Sequence, residues 1–194
     1  MLHIAPSDAT ERPSSGRERV LAEGPLGGLA RVIARACDGS PSRMADRIVP
    51  ALAAAAAEPE LLTAGQCQAR PDSYARHVLY GDPAGRFTVL ALVWGTGQFS
   101  PPHAHHAWCA YAVRAGLLDE TLFAYDTAAG MARPVQTAAR TAGYACFTHG
   151  GLDQIHRLGN AGVAPAISIH VYGVARERIA TDVNRLVQVG PAEG

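Results

Sequence analysis

The apolar positions change their period near Pro71. Before it, Leu29, Val32, Ile33 and Ala36 recur at helical spacing and stop at the breaker Asp38-Gly39-Ser40-Pro41, which predicts a helix from Leu26 to Cys37. A second stripe, Met44, Ile48, Leu52 and Ala55, predicts a helix from about Ser42 to Ala57, helped by alanines that lose no side-chain entropy in a helix. After Pro71 come short apolar runs rich in β-branched and aromatic residues, punctuated by Gly, Pro and Asp. YARHVLYGDPAGRFTVLALVWGTG predicts two strands joined at Gly81-Asp82-Pro83, the second reaching Trp94.

CAYAVRAG, LDETLFAYD, ARPVQTAA, GYACFTHGG, DQIHRLGN and AISIHVYGV follow at intervals of roughly 10 to 15 residues, each of strand length. That rhythm predicts a mainly β protein, an antiparallel sandwich or small barrel preceded by helices. The stretch ARERIATDVNRLVQVG is compatible with a terminal strand or a short helix. The polar residues 1–24 predict a flexible arm, and residues 25–194 a single domain, helical over about 25–60 and β over about 70–190. No solenoid repeat, coiled coil or Gly-rich phosphate loop is present.

Charge narrows the partners. Seventeen basic and seventeen acidic side chains cancel over 194 residues, so no broad field favours nucleic acid or an anionic membrane, and a small ligand is expected instead. No segment approaches the roughly 20 apolar residues that span a bilayer, and the N-terminus lacks a signal-peptide core. The four cysteines, Cys37, Cys67, Cys109 and Cys146, have no CxxC spacing, which argues against a zinc knuckle or disulfide framework and for a reducing, cytoplasmic setting. Cys37, Cys67 and Cys146 are read as structural.

Within PPHAHHAWCAYAVRAG, His103 and His105 are two apart, so strand alternation sends both imidazoles to one face and His106 to the other. His106 is read as a surface or supporting residue. Two ligands make half a metal site, and a distant strand can supply the rest: His156 and His170 each lie in a predicted strand. His3, His77 and His149 have no partner that raises them above background, and Trp94 is read as packing.

The first motif has the spacing G-x5-H-x-H-x3-C-x6-G from Gly97 to Gly116, and the second has H-x3-N from His156 to Asn160. Both resemble the signature motifs of the cupin superfamily, which implies a cupin-type antiparallel β-barrel (a double-stranded β-helix or jelly roll). Cys109 stands where many cupins carry a glutamate ligand. The usual Pro-x-Gly lead-in of the second motif reads Gly151-Leu152-Asp153. Over about residues 70 to 175, YARHVLY, WGTGQFSPPHAH, CAYAVRAG, LDETLF, IHRLGN and SIHVYG together resemble the thiol dioxygenases, most closely the cysteine dioxygenases with a pocket arginine.

The resemblance implies that His103, His105 and His156 bind Fe(II), and that Ser168, His170 and Tyr172 form an outer relay. It implies that Arg76, with Tyr74 beside it, meets the substrate carboxylate, and that Cys109 is the cysteine able to form a thioether with the tyrosine. The partners implied are a small thiol and dioxygen, and the activity is oxidation of L-cysteine to its sulfinate. Two spacings depart from the family pattern: His156 to Ser168 and His105 to Cys109 are each one residue short. The shortened HHAW stretch is shared with 3-mercaptopropionate dioxygenases, whereas an arginine rather than a glutamine at position 76 favours cysteine. Another small thiol acid, 3-mercaptopropionate or mercaptosuccinate, stays open as substrate. So does a non-catalytic cupin that binds a metal or small acid. Oligomeric state is not legible.

Overall fold

The computed structural model describes residues 24–190. His3 and, apart from Gly24, the expected N-terminal arm lie outside the described residues. Helices α1 (Pro25–Cys37) and α2 (Met44–Ala57) come first, within two residues of the boundaries the periodicity predicts. Among the described residues ten strands follow: β1 (Ala75–Gly81), β2 (Thr88–Trp94), β3 (His103–His105), β4 (Cys109–Ala115), β5 (Leu117–Asp126), β6 (Met131–Thr141), β7 (Ala145–Thr148), β8 (Gly151–Gly159), β9 (Ala166–Tyr172) and β10 (Asn184–Leu186). The turn between the first two runs from Asp82 to Phe87, one step beyond the predicted position, and is closed by the Asp82 N–H on the Phe87 carbonyl at 3.0 Å. The undecided C-terminal stretch contains both a 3-10 turn at Arg176–Arg178 and strand β10.

The strands form two five-stranded sheets, in the orders β1-β2-β9-β4-β7 and β10-β3-β8-β5-β6. Their pairing is antiparallel throughout. The architecture is the expected mainly β jelly roll of cupin type, built as two sheets rather than one closed ladder of hydrogen bonds. No helix among the described residues is long and apolar enough to cross a membrane.

Period-two alternation turns this into three layers. On β2, Val89, Ala91 and Val93 join a core with Ile33, Ile48 and Leu52 of the helices, while Leu90, Leu92 and Trp94 join a second core with Leu118 and Leu158 of the opposite sheet. All seven residues of β2 are buried, and so are all seven of β9. A strand buried on both faces reads as a continuous apolar run, which is why TVLALVW shows no alternation. The helices are tied to the sheet by arginines. Arg114 donates to the Ala56 and Glu58 carbonyls at the end of α2, at 2.6 and 2.7 Å. Arg86 bridges Asp38 after α1 and Asp82 after β1, both at 2.7 Å.

The motif glycines and asparagine serve this frame. Gly97 and Gly116 have φ of +75° and +76°, a left-handed conformation costly for residues with a Cβ, and a Cβ on Gly116 would also press to 2.9 Å from Ala166. Asn160 is fully buried; its amide donates to the Trp94 and Ala164 carbonyls at 3.0 and 2.8 Å and accepts from Gly162 N–H at 2.8 Å. It locks the β8–β9 connection to the end of β2.

Candidate metal centre and cleft

Strand β3 is short and bordered by irregularity. His103 pairs directly with His156 of β8, while His105 pairs with Gly151, so β8 carries a bulge between them. The result brings His103, His105 and His156 together, all three buried, with one ring nitrogen apiece within 4.8 Å of the others. Ring centroids lie 4.7 to 5.3 Å apart.

Hydrogen bonds behind the rings decide which nitrogens face inward. His103 donates from Nδ1 to the Pro101 carbonyl at 2.8 Å, and His156 donates from Nδ1 to Oε1 of Glu120 at 2.8 Å, so both leave Nε2 as a lone pair. His156 Nε2 stands 3.2 Å from His105 Nε2. Two nitrogens about 2.1 Å from one ion, set at a right angle, would be roughly 3.0 Å apart, so the donor set fits a divalent cation. Burial, reinforced by the neighbouring imidazoles, pushes His103 down to about 3 and His105 down to about 2, which keeps both neutral and available as ligands at neutral pH.

Glu120 was not singled out by the sequence reading. It is 4% exposed and accepts on its second oxygen from Arg140 Nε at 2.9 Å. Burial alone would raise its pKa, but the hydrogen bond from His156 and the hydrogen bond and charge of Arg140 outweigh that and hold it below the ordinary carboxylate range. The signal was present: in LDETLF, Glu120 is in phase with buried Leu118, and a carboxylate on an inward strand position needs a partner. That partner, Arg140, lies on β6 and has no spacing relation that could name it.

On the facing sheet, Ser168, His170 and Tyr172 share one face of β9, as alternation predicts. Ser168 Oγ is 2.8 Å from His170 Nε2, and His170 Nδ1 is 3.1 Å from the Tyr172 hydroxyl. Trp94 does more than pack, contrary to its sequence reading: its indole N–H donates to Ser168 Oγ at 2.9 Å. With His170 in the Nδ1–H tautomer, Ser168 donates to His170 Nε2 and His170 donates from Nδ1 to the Tyr172 oxygen, which leaves the Tyr172 O–H free to donate elsewhere; in the Nε2–H tautomer Ser168 accepts from both Trp94 and His170, and Tyr172 donates to His170 Nδ1. Burial lowers the His170 pKa and raises that of Tyr172, so the imidazole is neutral and the phenol protonated. The Tyr172 ring lies 5.6 Å from the ring of His105.

Cys109 pairs with Tyr172 across the β4–β9 ladder, so the two side chains share a face, and burial holds its thiol in the neutral form. Arg76 and Tyr74 line a cleft with His103, His156, His170 and Tyr172; the cleft encloses about 360 Å³, the solvent at its mouth included. Tyr74 stacks on Trp94 with centroids 4.4 Å apart. Among the described residues Arg76 has no carboxylate partner, unlike Arg86, Arg140 and Arg178. Asn184 of β10 also lines the cleft. His106 and His149 are exposed and lie outside the cluster, as does His77. Cys37, Cys67 and Cys146 are free thiols outside it too.

The chain is similar to a Thermus thermophilus protein of known structure, with 17% identity over 59% of this chain and 97% of that one and a TM-score of 0.46. It is similar to a Klebsiella pneumoniae protein with a double-stranded beta-helix domain, at 17% identity over 61% and 93% of the two chains and a TM-score of 0.44. A cupin superfamily protein from Desulfitobacterium hafniense matches at 13% identity over 55% and 83%, with a TM-score of 0.40. Residues 63–180, more than half of the sequence, match the family model of cysteine dioxygenase type I, which implies a dioxygenase, and the chain belongs to that family.

Proposed function

We propose that the protein is an iron(II)-dependent thiol dioxygenase that converts L-cysteine and dioxygen to cysteine sulfinate. The observation that carries the reading is an Arg76 guanidinium, without a carboxylate partner among the described residues, lining the same small cleft as His103 and His156 of the buried histidine cluster. A ferrous ion held by His103, His105 and His156 would supply binding positions for a thiolate sulfur and for dioxygen. The residues of the chain do the rest. Arg76 offers a planar fork for one carboxylate, a geometry that lysine does not provide. Tyr172, oriented through His170 and Ser168, directs its hydroxyl proton toward the reacting atoms, and Cys109, its cross-strand neighbour on β4, is the thiol assigned to the thioether link. Both oxygen atoms end on sulfur, so the thiol supplies all four electrons and no external reductant is required.

Arg76 is the permanent cation of the cleft lining among the described residues, which suits a monocarboxylate better than mercaptosuccinate, whose second carboxylate would enter without a partner. The relay on β9 argues against a binding-only cupin, since a module that merely holds a metal has no use for an oriented phenol. The four free cysteines suit a reducing cytoplasm. The test is anaerobic iron loading followed by oxygen-uptake measurements on L-cysteine, 3-mercaptopropionate, mercaptosuccinate and cysteamine, with mass analysis of products. One sulfinate per dioxygen, fastest with L-cysteine, is expected. Absence of thiol-dependent oxygen uptake with every compound contradicts the proposal.

A further inference from the structure

Tyr111 of β4 is buried in the core between the two sheets, with Leu118 and Tyr172, and is not among the residues that line the cleft. It pairs directly with His170 across the β4–β9 ladder, so the two side chains stand side by side on one face. The phenol ring lies along the imidazole as an offset stack, with centroids 5.3 Å apart and planes 16° from parallel. The Tyr172 ring continues the stack beyond His170, at 5.7 Å and 25°. Tyr111 also stands 6.4 Å from the ring of His156, so it reaches from the relay to one histidine of the metal cluster. Its hydroxyl contributes little to that placement. The oxygen is buried without a hydrogen bond of ordinary geometry among the described residues, and burial together with the Glu120 charge keeps the phenol protonated.

The terminal torsion of a histidine is broad, so hydrogen bonds at its two nitrogens leave the ring plane soft. His170 has such bonds, at 2.8 Å to Ser168 Oγ and 3.1 Å to the Tyr172 hydroxyl. A flat aromatic surface packed against the imidazole removes the remaining freedom. Resting on the thiol dioxygenase reading, we infer that Tyr111 is a positioning residue whose ring fixes the plane of His170 and, through it, the aim of the Tyr172 hydroxyl. Because it lies outside the cleft lining, it acts through His170 rather than on the substrate. Misplacement of a reacting group by about 1 Å costs about 100-fold in rate, so a side chain remote from the substrate can control turnover.

The test combines Tyr111→Leu, Tyr111→Met and Tyr111→Phe with two readouts. In the metal-free protein, NMR signals of the His170 ring protons should be displaced by the stacked ring in the parent and in Tyr111→Phe, and should lose that displacement in Tyr111→Leu and Tyr111→Met. In the iron-loaded protein, Tyr111→Leu should lower kcat for L-cysteine by about tenfold, with KM and iron per chain within about twofold of the parent, whereas Tyr111→Phe should keep kcat within about twofold. Added to Tyr172→Phe, where the aimed hydroxyl is gone, Tyr111→Leu should change kcat by less than about twofold. Tyr111→Met fills the space with a flexible chain and carries the test where the leucine variant fails to fold. A loss that persists undiminished on Tyr172→Phe makes Tyr111 structural and overturns the inference. So does a loss in Tyr111→Phe as large as in Tyr111→Leu, or a parent-like kcat in Tyr111→Leu or Tyr111→Met. Unaltered His170 signals in those two variants overturn it whatever the substrate. A parent without thiol-dependent oxygen uptake overturns the thiol reading itself, an outcome distinct from the NMR result.

Discussion

The two faces of β9 carry the same backbone and opposite chemistry. Toward the helices it presents Ile167, Ile169 and Val171, packed with α1 and α2. Toward the second sheet it presents Ser168, His170 and Tyr172, joined by hydrogen bonds of 2.8 and 3.1 Å. β2 divides the same way, with Val89, Ala91 and Val93 against Leu90, Leu92 and the hydrogen-bonding Trp94. The helical layer thus makes an outer core on which the inner face can hold polar groups at fixed positions. Orientation of an active group to a fraction of an ångström requires such a supporting layer. The lesson is a division of labour: aliphatic packing on one face stiffens the strand, and the other face uses that rigidity for chemistry.

Breaking the outer face should cost stability and spare the site. Ile169 is fully buried against the helices, so Ile169→Ala is expected to lower unfolding free energy by about 2–5 kcal/mol, read by urea denaturation, with iron content per folded chain unchanged. Breaking the inner face should do the reverse. Tyr172→Phe removes the hydroxyl but keeps the packed ring, and turnover of the iron-loaded protein should fall by about 100-fold or more while the urea midpoint moves little. A parallel loss of stability and turnover in either variant would dissolve the comparison.

Glu120→Gln sharpens it at the metal centre. The amide still accepts from His156 but loses the charge that Arg140 and the imidazole share, so metal affinity is expected to drop by about 10- to 100-fold, read by competition with a chelator. A further expectation concerns pH. In the metal-free protein, His103 and His105 have folded pKa values of about 3 and about 2, against an ordinary value of 6.5. Depressed values mean that the unfolded chain takes up protons first as pH falls, so their contribution is complete above pH 6.5 and is lost progressively toward pH 3. Urea midpoints of the metal-free protein should therefore decline between pH 7 and pH 5, and His103→Gln/His105→Gln should flatten that decline.

Much of this was legible in the sequence because the relevant signals are local. Alternation put His103 with His105 and Ser168 with His170 and Tyr172 on common faces, and helical spacing located α1 and α2. His156 entered through its motif. The groups that support the site were harder to see. Glu120 and Arg140 meet across the β5–β6 ladder, twenty residues apart, in a register that no local pattern encodes. Trp94 looked like packing because its one polar atom is hidden in a run of apolar neighbours. Asn184 lies in a three-residue strand, too short to show a period, and reaches the cleft only through its pairing with β3.

The central claim is that β3 and β8 of the second sheet assemble one metal site from three histidines. The most direct measurement is the iron content of the parent protein and of His103→Ala, His105→Ala, His156→Ala and His106→Ala after anaerobic loading and desalting, each checked for folding by circular dichroism. The parent and the exposed-residue control His106→Ala should retain about one iron per chain, and each of the other three should retain almost none, because a facial set that loses an imidazole loses its geometry. Parent-like iron in any one of those three folded variants would contradict the account.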